Sequence, residues 1–145
     1  MNKNEKLEQY YARCDIESIK GHLKTLLKKA KDEIRAVKVE DIDLETMVLI
    51  DVRESDEFAS GTIPAENVFT IPRGKLEFAV NDKLADLSDH QVVCYCLKGA
   101  RGLLGAKTLK DLGFSNIAYL DGGIESWVRS GRSIKNYLGY FKLEV

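Results

Sequence analysis

The amino-acid sequence predicts an α/β fold: a parallel sheet of five strands with helices on both faces, preceded by an α-helical N-terminal extension. Two observations support this prediction. Five short apolar runs recur along the chain after Glu33, and segments between the later runs have the three- and four-residue apolar spacing of helices. Near-continuous apolar strands that alternate with helices are typical of a parallel sheet buried on both faces.

The N-terminal extension, residues 1–33, is predicted to be helical. We expect a short helix at about residues 4–13, followed by an amphipathic helix with Asp15 as its N-cap. The apolar residues of this second helix recur at helical spacing: Ile16, Ile19, Leu23, Leu26, Leu27 and Ala30. Its other positions include five lysines, which make the polar face basic: Lys20, Lys24, Lys28, Lys29 and Lys31. We interpret this basic face as solvent-exposed rather than as a docking surface for an acidic partner.

The predicted domain, residues 34–132, begins with the first strand. Its five predicted strands are IRAVKV, MVLIDV, NVFTI, QVVCYC and NIAYL. Residues 101–112 predict a helix that ends at Gly113, a natural C-cap. A tight Asp-Gly-Gly turn is expected before a last helix, with Trp127 as its core anchor. The apolar tail, residues 133–145, is expected to pack on the domain, the extension or a second subunit.

Composition and charge exclude several classes of protein. The 145 residues are 44% hydrophobic and 31% charged, which suits one globular domain. A net charge of -1 argues against a nucleic-acid binder, which would carry a strongly basic surface. The charged N-terminus has no signal-peptide core, and no apolar run is long enough to span a bilayer. We therefore expect a cytoplasmic protein without nucleic-acid or membrane partners.

A short loop between the fourth strand and the following helix is the candidate site. It begins at Cys96, at the carboxyl end of the strand, where open parallel sheets bind ligands. The helix begins near Arg101, so the backbone must curl within four residues: Leu97, Lys98, Gly99 and Ala100. Successive N–H groups in such a curl form an anion-binding nest, and the helix N-terminus adds partial positive charge.

Cys96 is predicted to be the nucleophile. The inward N–H groups, the helix dipole and the charges of Lys98 and Arg101 all favour its thiolate form. Gly99 permits backbone angles that are closed to other residues, and Gly102 allows the helix to begin close to the sheet. A small core residue at a strand end is the alternative interpretation of Cys96. The surrounding glycines and the arginine favour a functional role.

The other cysteines and both histidines are predicted to lie outside the chemistry. Cys94 is within a strand and is expected to pack in the core, whereas Cys14 has no evident functional role. His90 lies at the opposite end of the fourth strand and His22 in the extension. A cysteine–histidine pair is therefore disfavoured unless the extension folds over the site. One close cysteine pair with two remote histidines does not predict a metal site.

Three sequence blocks resemble the rhodanese-like sulfurtransferases of the single-domain type. They are LIDVRESDEFASGTIPAENVFTIPRGKLEF, VVCYCLKGARG and AYLDGGIESW, and the resemblance covers residues 34–132. It implies a rhodanese-like, twisted five-stranded parallel sheet with Cys96 as the catalytic residue. In that family the cysteine accepts a sulfane sulfur as a persulfide and passes it to cyanide or a thiol, without a metal or organic cofactor. Thiosulfate is the usual test donor.

The resemblance implies functional roles for the charged residues near the loop. Sulfur donors such as thiosulfate are anions, so Lys98, Arg101 and Arg73 are candidates to concentrate and orient them. The backbone N–H groups of residues 97–101 are candidates to stabilise the thiolate, the leaving group and the persulfide. Arg101 could equally tie the loop to the helix, and an exposed charge at a helix start is the simpler interpretation of Arg73. Asp51 and Arg53 are expected to form an ion pair.

Other functions stay open beside the sulfurtransferase. A persulfide carrier or regulatory binding module acting with a protein partner would show poor turnover with small donors but a stable Cys96 persulfide. A phosphatase or arsenate reductase on the same fold is disfavoured, because this loop is one residue shorter than in the phosphatase relatives. A non-catalytic scaffold is least favoured, since the loop is intact. The N-terminal helices are a candidate homodimer interface, and a protein sulfur acceptor is a candidate partner.

Overall fold

A five-stranded parallel sheet forms the centre of the computed structural model, which describes residues 16–142. Its strands are β1 (Arg35–Val37), β2 (Val48–Asp51), β3 (Asn67–Thr70), β4 (Val92–Tyr95) and β5 (Ile117–Leu120). They lie in the order β1-β5-β4-β2-β3, and every neighbouring pair is parallel. The predicted α/β class and all five predicted strands are confirmed. The predicted helix at residues 4–13, Cys14 and Asp15 lie outside the described residues.

Helices cover both faces of the sheet, which explains why the central strands β2, β4 and β5 are buried at every position. The helices are α1 (Gly21–Glu33), α2 (Ser55–Phe58), α3 (Leu76–Ala79), α4 (Ala100–Asp111) and α5 (Gly123–Arg129). Buried residues of α1, α3 and α4 share one core cluster, and those of α5 belong to the cluster on the opposite face. Within residues 16–142, no helix has the length and apolar character needed to cross a bilayer.

The second predicted helix begins later than expected. Ile16–Ser18 forms a single 3-10 turn, and α1 starts at Gly21, whose φ is +71°. Because a positive φ interrupts the right-handed helical path, the apolar residues before and after Gly21 do not form one continuous stripe. Leu27 is buried, whereas Leu23 and Leu26 are 45% and 52% exposed. The helix predicted from the apolar spacing is therefore correct only for the part of the segment after Gly21.

The tail forms a β-hairpin that the sequence analysis did not predict. Its strands β6 (Ile134–Asn136) and β7 (Gly139–Phe141) are antiparallel. Thr62 and Lys135 exchange two backbone hydrogen bonds of 2.9 Å, which join the hairpin to the domain. Ile134 is buried, but three apolar residues of the hairpin stay 67–89% exposed: Tyr137, Leu138 and Tyr140.

Candidate active site

The Cys96 loop, residues 96–101, connects β4 to α4. Cys96 is fully buried, and the N–H of Gly99 donates a hydrogen bond to Cys96 Sγ at 3.1 Å. Gly99 has a φ of +133°, which a residue with a Cβ rarely adopts. The carbonyl of Gly99 accepts the hydrogen bond from Leu103 N–H at 2.9 Å, within α4. One glycine therefore both directs a donor at the sulfur and begins the helix.

The N-terminus of α5 orients the peptide groups of the Cys96 loop. Ile124 N–H donates to the carbonyl of Cys96 at 2.9 Å, and Glu125 N–H donates to the carbonyl of Leu97 at 3.0 Å. Because N–H and C=O point in opposite directions in a trans peptide group, the N–H groups of Leu97 and Lys98 point away from α5. Binding of an anion by these N–H groups stays a prediction.

Two glycines allow the close contacts that this geometry requires. A Cβ on Gly123 would lie 2.4 Å from the carbonyl oxygen of Leu97, so only glycine fits at the start of α5. A Cβ on Gly102 would lie 3.0 Å from Tyr95 Cα, because the first turn of α4 packs directly on β4. Gly102 thus holds the beginning of the helix against the strand that carries Cys96.

Arg101 forms a two-pronged ion pair with Glu57 of α2. Arg101 Nη1 and Nη2 donate to the two carboxylate oxygens at 2.7 Å and 3.0 Å. Burial alone would raise the pKa of Glu57, but the hydrogen bonds from Arg101 and from the backbone of Glu54 outweigh it and lower that pKa. The pair joins the N-terminus of α4 to α2. Glu57 was not singled out from the sequence, and contact of Arg101 with a substrate stays a prediction.

Lys98 also faces a carboxylate. Its Nζ lies 3.9 Å from Glu125 Oε2, and Glu125 Oε1 lies 3.4 Å from Arg129 Nε. Both cationic side chains of the Cys96 loop are therefore matched by acidic residues from other helices. Glu125, like Glu57, has no local sequence pattern that marks it as part of the site. Binding of an anion by Lys98 stays a prediction.

A buried ion pair lies behind the Cys96 loop. Arg53 Nη2 is 2.7 Å from Asp51 Oδ2, both side chains are almost fully buried, and the same nitrogen donates to the carbonyl of Gly61 at 2.7 Å. Burial alone would lower the pKa of Arg53, but Asp51 more than offsets this effect and the pKa is raised. Tyr95, which precedes Cys96, accepts a hydrogen bond from Ile63 N–H at 3.2 Å, and burial raises its pKa. This network connects β2, β4 and the segment before β3.

The structure places Arg73 against the middle of α4. Arg73 Nη2 donates to Thr108 Oγ1 at 2.7 Å, and Nη1 pairs with Glu77 at 3.0 Å. Thr108 lies about two turns beyond the Cys96 loop, since one helical turn contains about 3.6 residues. The guanidinium therefore joins the 3-10 turn Arg73–Lys75 to α4. Its predicted role in binding an anionic donor stays a prediction.

Cys94 and His90 lie apart from the candidate chemistry. Cys94 is fully buried on the same sheet face as α4, and burial raises the pKa of its thiol well above the ordinary value. Such a thiol is a packing group rather than a nucleophile at neutral pH. His90 precedes β4, at the end of the strand opposite to Cys96, where its Nδ1 lies 3.1 Å from Asp89.

Comparison with known proteins identifies the family. A family model described as the Rhodanese-like domain matches residues 26–130. A protein of Schizosaccharomyces pombe named "Putative thiosulfate sulfurtransferase, mitochondrial" is 37% identical over 101 residues, which cover 61% of this chain and 66% of that protein. The match thus spans slightly less than two thirds of this relative. Further relatives are named as sulfurtransferases, and one as a "Putative sulfur carrier protein".

Two solved structures share the fold over most of the chain. A Rhodopseudomonas palustris protein of unknown function, described as a "Possible Tyrosine Phosphatase", is 27% identical with a TM-score of 0.69, over 81% of this chain and 96% of that chain. The polysulfide-sulfur transferase homodimer of Wolinella succinogenes is 28% identical with a TM-score of 0.63, over 94% of each chain. With the family model covering most of its length and sulfurtransferases among its relatives, the chain belongs to the rhodanese-like domain family.

Proposed function

We propose that the protein is a rhodanese-type sulfurtransferase that carries a sulfane sulfur as a persulfide on Cys96. The hydrogen bond from Gly99 N–H to Cys96 Sγ, at 3.1 Å, is the observation that best supports this proposal. It places a fixed donor at the atom that would hold negative charge as the thiolate. The reaction requires no metal and no organic cofactor.

The proposed reaction consists of two substitutions at sulfur, with no net oxidation. The Cys96 thiolate attacks the outer sulfur of a donor such as thiosulfate; a new S–S bond forms, the donor's S–S bond breaks, and its electron pair leaves with sulfite. Cyanide or a thiolate then attacks the outer sulfur of the persulfide, and the electron pair of that S–S bond returns to Cys96 Sγ. The N–H groups of the Cys96 loop would stabilise the anionic sulfur throughout.

A sulfur carrier that acts with a protein partner is the second candidate. One relative is named as a putative sulfur carrier, and the exposed hairpin residues offer an apolar contact surface near the domain. This candidate also uses a Cys96 persulfide but predicts poor turnover with small donors and a stable persulfide. The two functions differ in whether the persulfide is discharged by cyanide or only by a protein thiol.

We also propose that the chain forms a homodimer through its N-terminal helices. The Wolinella homodimer matches 94% of this chain, and therefore reaches into the N-terminal extension. On α1, Leu23 and Leu26 are one helical turn apart and both are about half exposed. A second copy of the chain would cover them. The cytoplasmic location stays a prediction.

Steady-state formation of thiocyanate from thiosulfate and cyanide tests the proposed function. We expect turnover by the wild-type protein and by Cys94→Ala, which removes the neighbouring buried thiol, and none by Cys96→Ala. Hydrolysis of p-nitrophenyl phosphate without thiocyanate formation would instead support a phosphatase. Turnover that survives in Cys96→Ala would contradict the proposal.

A further inference from the structure

Ile16, in the 3-10 turn before α1, lies against the Cys96 loop. A Cβ on Gly99 would be 3.5 Å from Ile16 Cδ1, in ordinary van der Waals contact, and Gly99 is the residue whose N–H reaches Cys96 Sγ. Ile16 is partly buried and packs on the core cluster that contains both Cys96 and Ala100. The N-terminal extension thus supplies an apolar side chain beside Gly99, the residue of the Cys96 loop that donates to Cys96 Sγ.

The 3-10 turn that carries Ile16 is anchored to the core through Ile19 and contacts α1 through Glu17. Ile19 N–H donates to the carbonyl of Ile16 at 3.3 Å, and Ile19 is almost fully buried in the same core cluster. Glu17 lies 3.7 Å from Lys31 of α1 in an exposed pair. These contacts hold Ile16 at the loop.

Carboxylates face both cationic side chains of the Cys96 loop. Lys98 faces Glu125, and Arg101 is held by both carboxylate oxygens of Glu57. Glu57 therefore offsets the charge of Arg101, and Glu125 offsets part of the charge of Lys98, since Glu125 also pairs with Arg129. A dianion that approaches the loop meets a weaker attraction than the loop sequence alone implies.

We infer that Ile16 is a specificity-determining residue, which favours the protonated form of alkyl persulfides (R–S–SH) over the dianion thiosulfate as sulfur donor. This inference rests on the proposed function and names its substrate class. Thiosulfate must shed water beside the Ile16 side chain, where apolar atoms offer no hydrogen bonds in exchange. An alkyl persulfide instead places its carbon chain against Ile16 and buries apolar surface.

The transfer from such a donor balances without an added oxidant or reductant. The Cys96 thiolate attacks the terminal sulfur of R–S–SH, and a bond forms between Cys96 Sγ and that sulfur. The donor's S–S bond breaks, its electron pair leaves with R–S⁻, and the proton stays on the transferred sulfur. Cys96 then carries the persulfide Cys–S–SH.

Loading rates with two donors test the inference. Single-turnover formation of the Cys96 persulfide is followed by mass spectrometry with thiosulfate and with 2-hydroxyethyl persulfide. In Ile16→Ala we expect the ratio of the thiosulfate rate to the alkyl persulfide rate to rise about fivefold, as the loss of a small apolar contact predicts. Leu23→Ala, an exposed change on α1, should keep the wild-type ratio. Ile16→Val removes the Cδ1 atom that lies near Gly99, so it should raise the ratio, but by less than Ile16→Ala. An unchanged ratio in Ile16→Ala overturns the inference.

Alkylation of wild-type Cys96 separates failure of the inference from failure of the proposed function. Iodoacetate and iodoacetamide are similar in size and differ in charge, and neither needs sulfur transfer. Fragment-ion masses distinguish Cys96 from Cys94, which lies on the same peptide. We expect Cys96 to prefer iodoacetamide over iodoacetate more strongly than free cysteine does, and this preference to be weaker in Ile16→Ala. If no donor loads Cys96 but this pattern holds, only the proposed function fails. A preference no stronger than that of free cysteine overturns the inference.

Discussion

Arg101 and Glu57, 44 positions apart in sequence, form a two-pronged ion pair that joins the N-terminus of α4 to α2. The pair fixes the end of the Cys96 loop that lies furthest from the strand. Its side chains are 22% and 13% exposed, so water screens it only in part. The position of the loop consequently depends on a residue that lies in a different sequence block.

Glu57→Gln should weaken both the fold and the loop. We expect the free energy of unfolding to fall by about 1.5 to 3 kcal/mol, the range for hydrogen bonds to charged groups. Persulfide formation should slow about tenfold, because small displacements of reacting groups are costly. Urea unfolding and single-turnover loading measure the two effects. Persulfide formation at the wild-type rate would show that the Arg101–Glu57 pair is not needed to position the Cys96 loop.

The stability difference between wild type and Glu57→Gln should depend on pH. The folded-state pKa of Glu57 is lower than its ordinary value of 4.5. The ionised group therefore stabilises the fold fully at pH values well above 4.5, and this contribution is lost as the pH falls through the lower folded-state pKa. Urea unfolding of both proteins between neutral and acidic pH should show the gap closing in acid. A stability difference that grows in acid would contradict a lowered pKa for Glu57.

Gly99→Ala should impair sulfur transfer more than its effect on stability explains. The φ of +133° would cost an alanine about 1 to 3 kcal/mol. Relaxation of this strain moves the N–H away from Cys96 Sγ, and loss of such a donor costs about a hundredfold in rate. Gly113→Ala is the matched control, because Gly113 has a φ of +101° and open space around it, beyond the far end of α4. It should lose stability but keep activity; equal activity losses would refute the role of the Gly99 amide.

Asp51→Asn should be strongly destabilising. It leaves the buried Arg53 guanidinium without its carboxylate, which typically costs about 3 to 5 kcal/mol. Glu77→Gln, at the more exposed pair with Arg73, is the control and should cost less than about 1 kcal/mol. Chemical unfolding compares the two. Similar losses would mean that burial of the Asp51–Arg53 pair has little energetic consequence.

Leu26→Glu should dissociate the proposed dimer. A carboxylate at a covered apolar position loses hydration on association, so the dimer should weaken while the domain itself stays folded. Sedimentation equilibrium gives the mass of each protein in solution. A wild-type protein that is monomeric at high concentration would rule out this assembly.

The sheet could be predicted from the sequence because every strand buried on two faces is a short, near-continuous apolar run. The Cys96 loop could be predicted for a similar reason: its cysteine, glycines and arginine are adjacent in the chain. The roles of Glu57, Glu125 and Ile16 could not be predicted, because each residue reaches the loop only through tertiary contact. The sequence around each of them is already accounted for by the helix or turn in which it lies. The start of α1 was misplaced because apolar spacing continues through Gly21, whose backbone angle interrupts the helix.

The hairpin at the end of the chain escaped prediction for a different reason. Its strands contain three residues each, too few to show the alternation of a half-buried strand. Thr62 provides its pairing partner within the domain, and that relationship has no local signal. The exposed apolar residues beside the turn were expected to be buried, and they are not.

Intact mass of the protein after exposure to a sulfane sulfur donor tests the central claim most directly. Wild type and Cys94→Ala should each gain one sulfur atom, which cyanide removes with formation of thiocyanate, whereas Cys96→Ala should gain none. Circular dichroism confirms that the variants are folded. If no sulfur is gained from thiosulfate or an alkyl persulfide, or if the gain persists in Cys96→Ala, Cys96 is not the sulfur carrier.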